Sequence, residues 1–340
     1  MARQRRPTIK DVATAAGVAV STVSNVLNDH PHVTDATRRK VLDAVEKLGY
    51  QASRAAKSLP GGRTHLIAYC LPGDEEPNPA LDVFLHRIVA TAAASSLEML
   101  LFVQQGHDSV EPYRDLLRRG GADGFVLSGI EYDDERVAFL QDRDIPFVCF
   151  GRVGDPGVTA VDVDGAAGIA AAVEHVAGVG RTRFAFIGWP DGSATGDDRL
   201  RGYLDGVERS RAASVAVKQV RNDYDRGRKL VADLMEDSRP DAIVCVSDVL
   251  ALGVMDGLRA LDLRPGADVA VTGFDDVPAS SLTSPGLTTL RQPMDRIGSL
   301  LVERLVSQLG RTAPSPSGPV LIEPDLIIRQ STRNPMLADT

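Results

Sequence analysis

The chain has 340 residues, 43% hydrophobic and 25% charged, proportions of a soluble globular protein long enough for two or three domains. No apolar run approaches the roughly 18 residues a membrane helix needs, and the basic N-terminus leads straight into Asp11, unlike a secretory leader, so the cytoplasm is the expected compartment. The net charge of −8 conceals an asymmetry: residues 1–63 hold 11 basic against 5 acidic side chains, net +6, and the remainder holds 27 against 41, net −14, as if attraction to phosphate were confined to one module.

In chain order, Thr8 is placed to cap a first helix over about Ile9–Ala16, with Asp11 near its positive end. Gly17 breaks that helix, and a second is expected over residues 20–28. Val12, Ala13, Ala16, Val23, Val26 and Leu27 supply the apolar faces. A third helix follows Pro31, capped by Thr34 and stopped by Gly49, with Val41, Leu42, Val45 and Leu48 as its apolar stripe. Three short helices with a tight glycine turn between the first two describe a helix-turn-helix.

The run TIKDVATAAGVAVSTVSNVLN over residues 8–28 strongly resembles the signature of the lactose/galactose-repressor (LacI/GalR) family. The resemblance implies an all-α helix-turn-helix head (1–49), a hinge helix (50–63) and a two-lobed α/β domain of the type I periplasmic-binding-protein fold (64–340). Val20 and Ser21 fall on the family's two main specificity positions; Val20 can meet a thymine methyl or simply pack, and Ser21 can pair with several bases. Two departures alter the reading. Ala19 stands where the family usually has Ser, removing a cap and phosphate contact, and Asn25 replaces the usual Arg, either favouring adenine over guanine or serving as a shorter polar reader. Thr8, Thr22, Ser24 and Arg38, with Lys40, Ser53 and Lys57, are expected to touch DNA, chiefly its phosphates. Leu59 matches the hinge leucine that wedges into a central base step of the minor groove; a flexible linker is the alternative.

Beyond Arg63, strand-like runs at 66–71, 99–104, 124–127, 146–150, 183–188, 242–247 and 269–274 alternate with amphipathic stretches such as 84–95 and 167–177, the pattern of parallel α/β layers. The same family resemblance continues in order through Asp123-Gly124, the VDVD run at 161–164, Arg199, Ser247-Asp248, Asp275-Asp276 and Ile328-Arg329. It implies an N-lobe of about 64–162 and 291–321 and a C-lobe of about 163–290 and 322–340. Between them the resemblance places an effector site built on Arg199 and Asp275, a guanidinium fork opposite an acceptor that can fix a polyol. A helix-surface arginine paired with Asp198 is the alternative for Arg199. Thr195, Tyr224 and Ser247 join the site by the same resemblance, Ser247 standing where the family often has Asn and so removing a hydrogen-bond group, and Tyr224 either stacking on a sugar ring or partly buried for packing. Trp189 either floors the cleft or packs behind it.

No nucleophile elbow, phosphate loop or dinucleotide fingerprint is present, which argues against an enzyme. The six histidines lack metal-ligand spacing, and Cys70, Cys149 and Cys245 lie apart in apolar runs, so neither metal nor cofactor is expected. The expected partners are double-stranded operator DNA, a small-molecule effector and a second copy of the chain, with a tetramer left open and no membrane.

Overall fold

The computed structural model describes residues 7–27, 33–50, 64–71, 79–104, 108–155, 157–310 and 318–333. The expected hinge residues Ser53, Lys57 and Leu59 lie outside them.

The head contains α1 (Ile9–Ala16), α2 (Val20–Leu27) and α3 (Asp35–Leu48). Its boundaries follow from local chemistry. The Asp11 amide donates to the Thr8 hydroxyl while the Thr8 amide donates to the Asp11 carboxylate at 2.7 Å, a reciprocal capping box. Gly17 and Gly49 close α1 and α3 in the left-handed region at φ 65° and 59°. Val12, Val23, Val26, Val41, Ala44 and Tyr50 form the buried centre. The stripe expected on α3 is only half correct: Val41 is buried, whereas Leu42 and Leu48 are 48% and 36% exposed. Val45 packs against the buried centre as expected and Ala44 joins it, because that face tracks positions 41, 44 and 45 at helical spacing.

The body holds two parallel sheets. The first has the order β11-β5-β4-β3-β1-β2, built from β1 (Leu66–Leu71), β2 (Glu98–Val103), β3 (Gly124–Leu127), β4 (Phe147–Phe150), β5 (Ala160–Val163) and β11 (Pro319–Ile322). Helices α4 (Pro79–Ala94), α5 (Glu111–Arg118), α6 (Glu135–Gln141) and α12 (Met294–Gly310) accompany it. The second has the order β7-β6-β8-β9, from β6 (Arg183–Gly188), β7 (Ala213–Gln219), β8 (Ala242–Cys245) and β9 (Ala270–Thr272). It carries α7 (Gly165–Gly178), α8 (Ala194–Arg209), α9 (Tyr224–Asp237), α10 (Asp248–Ala260) and the short α11 (Pro278–Leu282).

Three passages join the sheets. The chain leaves β5 directly into α7, and β10 (Thr289–Arg291) pairs antiparallel with β12 (Asp325–Ile327) on the other two. Asp248 pins this region from beneath, its buried carboxylate accepting from the Val277 amide and the hydroxyls of Ser280 and Thr289. Glycines set how closely the C-lobe helices approach. A Cβ on Gly202 of α8 would stand 2.2 Å from the Ala166 carbonyl oxygen of α7, so no larger residue fits this crossing without displacing backbone. Cys149 and Cys245 are buried free thiols and Cys70 is a partly buried one.

Candidate DNA-reading helix and ligand cleft

On α2 the apolar and polar residues separate cleanly. Val23 and Val26 are buried, while Val20, Ser21 and Asn25 are exposed and Thr22 and Ser24 are partly buried. Val20 is 41% exposed, so packing does not account for it. Ala19 accepts the Thr22 and Val23 amides through its carbonyl at 3.0 and 3.2 Å, and its methyl side chain can offer no cap. Arg38 lies partly buried on α3. The Thr8 hydroxyl donates to the Asp11 carboxylate at 2.7 Å, which commits its proton to the cap rather than to a phosphate.

The body's candidate site lies at the carboxyl ends of the strands, where ligands of open α/β sheets sit. Strand β6 ends at Gly188 and hands over to Trp189. Ser193 then caps α8 by accepting the Gly196 amide at 3.2 Å. One turn further, Arg199 and Tyr203 share a helix face, and the Tyr203 hydroxyl donates to the Phe184 carbonyl at 3.0 Å, fixing that face against β6. Arg199 is therefore only 4% exposed, not a surface arginine. Its guanidinium carbon lies 3.5 Å from the Phe274 ring centroid and 5.3 Å from that of Trp189, and Nη1 donates to the Val246 carbonyl at 2.6 Å. Arg199 Nε and Trp189 Nε1 are both buried without a partner among the described residues. Buried donors left open in this way are what a ligand acceptor would complete.

Asp275 follows Phe274 with φ at 114°, a conformation rarely tolerated outside glycine and held here by the hydrogen bond its backbone N–H donates to the Leu290 carbonyl at 2.8 Å. Gln292 Nε2 donates to its carboxylate at 2.6 Å. Burial raises its pKa to about 6, with Arg199 and Gln292 opposing that rise. The same burial works against the charge of Arg199, whose cation is supported by Asp275, Asp162, Asp198 and Asp248. The arrangement offers two directional donors and one acceptor, enough to orient a hydroxylated ligand.

Ser247 is fully buried, caps α10 through the Leu250 amide, and donates to Asn222 Oδ1 at 2.5 Å. Thr195 sits partly buried in the first turn of α8. Tyr224 is 43% exposed, and its hydroxyl faces Asp256 on α10. Asp223 caps α9 by accepting the Arg226 amide at 2.7 Å, which turns Tyr224 onto the helix pair and leaves Asn222 as the residue reaching Ser247. Sequence reasoning missed Asn222, Phe274 and Gln292; the adjacency of Phe274 to Asp275 was the available signal.

Across the cleft, Arg152 follows β4 and donates from Nε to Asp162 Oδ2 at 3.0 Å, while Nη2 pairs with Asp198 Oδ2 at 2.5 Å. Asp198 is also held by the Ala166 amide and by Arg201, so it does not pair with its neighbour Arg199. A separate hollow of about 720 Å³, lined by Gln141, Asp144, Ile145, Pro146 and Gln308, opens at the start of β4, the other end of that strand from Arg152. Among the described residues no helix is long and apolar enough to cross a membrane.

Family profiles match parts of both the head and the body. The profile of bacterial regulatory proteins of the lacI family matches residues 8–53, and that of the periplasmic binding protein-like domain matches residues 173–332. The HTH-type transcriptional regulator CelR of Thermobifida fusca is 31% identical, the alignment covering 97% of this chain and 100% of CelR. A solved lac repressor dimer bound to operator and the anti-inducer ONPF superimposes with a TM-score of 0.85 at 25% identity, covering 97% of this chain and 100% of that one. A CelR–cellobiose complex superimposes with a TM-score of 0.74 at 27% identity, covering 96% and 100%. The chain thus belongs to the lacI family of bacterial regulatory proteins and is a helix-turn-helix transcriptional regulator, not an enzyme.

Proposed function

We propose that this regulator is a cytoplasmic repressor that binds a pseudo-palindromic operator as a homodimer and is controlled by a saccharide held between its lobes. The observation that carries the effector reading is the pair of open buried donors, Arg199 Nε and Trp189 Nε1, in the same cleft as the Asp275 carboxylate. A sugar ring presents adjacent hydroxyls that both accept and donate, which matches that set. The cellobiose held by the structurally similar CelR supports the class of ligand without fixing its identity.

In this reading residues 1–49 read bases through Val20, Ser21 and Asn25, residues 50–63 form the hinge that carries Leu59, and residues 64–340 bind effector and dimerise. Apolar surface is available for a second copy: Leu282 is 83% exposed on α11, and Leu101 and Val103 are 44% and 49% exposed on the edge strand β2. The lac repressor, whose fold this chain shares, is a dimer on its operator. Two heads would then meet half-sites about 34–36 Å apart. Effector and operator affinities are reciprocally coupled through the relation of the lobes, typically by a factor of about 5–150.

The test is a thermal-shift screen of the full-length protein against mono- and disaccharides, sugar acids, nucleosides and purines, followed by operator binding with each hit. A saccharide that both stabilises the protein and changes operator affinity is expected. Stabilisation by purines alone would replace the saccharide reading.

A further inference from the structure

We propose that Arg152 is a positioning residue that latches the two lobes together, holding Asp198 of the C-lobe against the first sheet and thereby fixing the helix turn that presents Arg199. The inference rests on reading the Arg199 cleft as the effector site, but its mechanical part stands on geometry alone.

Arg152 leaves the carboxyl end of β4 after Gly151, whose φ of 118° directs the chain where an L-residue would be strained and whose Cβ would press on Ile130 at 3.3 Å. Its guanidinium forks onto two carboxylates, Asp162 at 3.0 Å and Asp198 at 2.5 Å. These two contacts differ in kind. Asp162 lies on β5, paired to β4 in the same sheet, so that contact holds the arginine in place whatever the second lobe does. Asp198 lies on α8 against the second sheet, so separating the lobes must break that contact. A fork of fixed planar geometry suits this double duty, and a lysine point charge cannot reproduce it.

Burial gives the latch weight. The Asp162 and Asp198 side chains are 11% and 8% exposed and that of Arg152 is 29% exposed, unlike a solvated surface pair. Without Arg152, Asp162 keeps the Val163 amide at 2.8 Å, and Asp198 keeps the Ala166 amide at 3.0 Å and the more exposed Arg201. The position of Asp198 is set tightly, since a Cβ on Gly165 would lie 3.2 Å from its Oδ2 and 3.0 Å from Arg199 Cγ. The latch therefore acts on the turn that carries the cleft arginine. A second contact spans the same edge, the Tyr132 hydroxyl meeting Asp197.

Hydrogen–deuterium exchange on the full-length protein without added ligand tests this directly. Arg152→Met should raise exchange across segments 128–134 and 194–202 by about tenfold, within the usual range of a coupling between states. Exchange in β8, in the centre of the second sheet, should stay unchanged. Asp198→Asn should have the same effect, and the double variant should add little to either single one. Arg152→Lys should be intermediate. Unchanged exchange in Arg152→Met overturns the proposal. A uniform rise through β3 and β8 also overturns it, because it would mark a merely structural role. Cellobiose, added as a probe in a second arm, should protect the same segments in the wild type. If it and the other saccharides fail while the ligand-free result holds, the effector reading fails and the latch stands.

Discussion

The Arg199 guanidinium carbon lies 3.5 Å from the centroid of the Phe274 ring, and the next residue along the chain, Asp275, is foremost among the carboxylates that support its charge. One β-strand exit thus supplies both the platform that orients the cleft arginine and the acceptor in the same cleft. A cation stacked in a desolvated setting gains about 2 kcal/mol from such a ring.

Phe274→Leu should remove the platform while keeping apolar volume. Effector affinity measured by calorimetry should fall about tenfold, corresponding to about 1.4 kcal/mol. Operator affinity without effector should change less than twofold. An unaltered effector affinity would show that the stack does not prepare Arg199.

The raised pKa of Asp275, about 6 against an ordinary 3.8, gives a pH signature. Between those values the folded protein holds a proton that the unfolded chain has released. The stability from this group is therefore fully present below about pH 4 and is lost as pH rises through about 6. In the proposed effector site binding would run the other way, because the ionised carboxylate would accept ligand hydroxyls. Affinity should drop several-fold from about pH 7.5 to about pH 5, and Asp275→Asn should flatten the profile. A wild-type profile that is already flat would remove Asp275 from the ligand contacts.

Gly202→Ala should destabilise the C-lobe, since its Cβ would stand 2.2 Å from the Ala166 carbonyl oxygen, a backbone atom that cannot rotate aside. Overpacking of this kind costs about 3 kcal/mol, lowering the melting temperature by about 6–12 °C in a domain of this size. Gly178→Ala, where nothing lies within 4 Å, is the matched control and should leave it nearly unchanged.

Asn25→Arg should shift the preferred base from adenine toward guanine at one position of each half-site, by about 1–3 kcal/mol of discrimination. Selection from a randomised half-site library checks this. Identical consensus sequences for both proteins would mean that Asn25 does not read a base edge.

The head was legible almost residue by residue because caps and breakers act locally. Thr8, Gly17, Thr34 and Gly49 each mark the boundary their chemistry demands. Leu42 and Leu48 were misjudged because apolar spacing alone does not say how wide a face the neighbouring helices cover. In the body, β1, β3 and β6 fall where their apolar runs begin and end, whereas β8 stops at Cys245. There the apolar run continues into Ser247, whose hydroxyl starts a helix. Strand β7 escaped notice since an edge strand covered on one side needs few apolar residues, and β10 and β12 are too short to show a period. Arg199 and Asp275 were legible only through family resemblance. The pairing of the Tyr224 hydroxyl with Asp256 was not legible by that route, because resemblance does not report local caps such as Asp223.

The central claim is that one chain joins operator reading by α2 to a ligand cleft built around Arg199. Fluorescence anisotropy of full-length wild type and Arg199→Ala on a selected operator duplex, with and without the saccharide found by thermal shift, tests it most directly. The wild type should change operator affinity on saccharide addition, by at least fivefold. Arg199→Ala should bind the operator with wild-type affinity and ignore the saccharide. A variant that responds as the wild type does, or a wild type that binds operator and random duplex equally, would contradict the account.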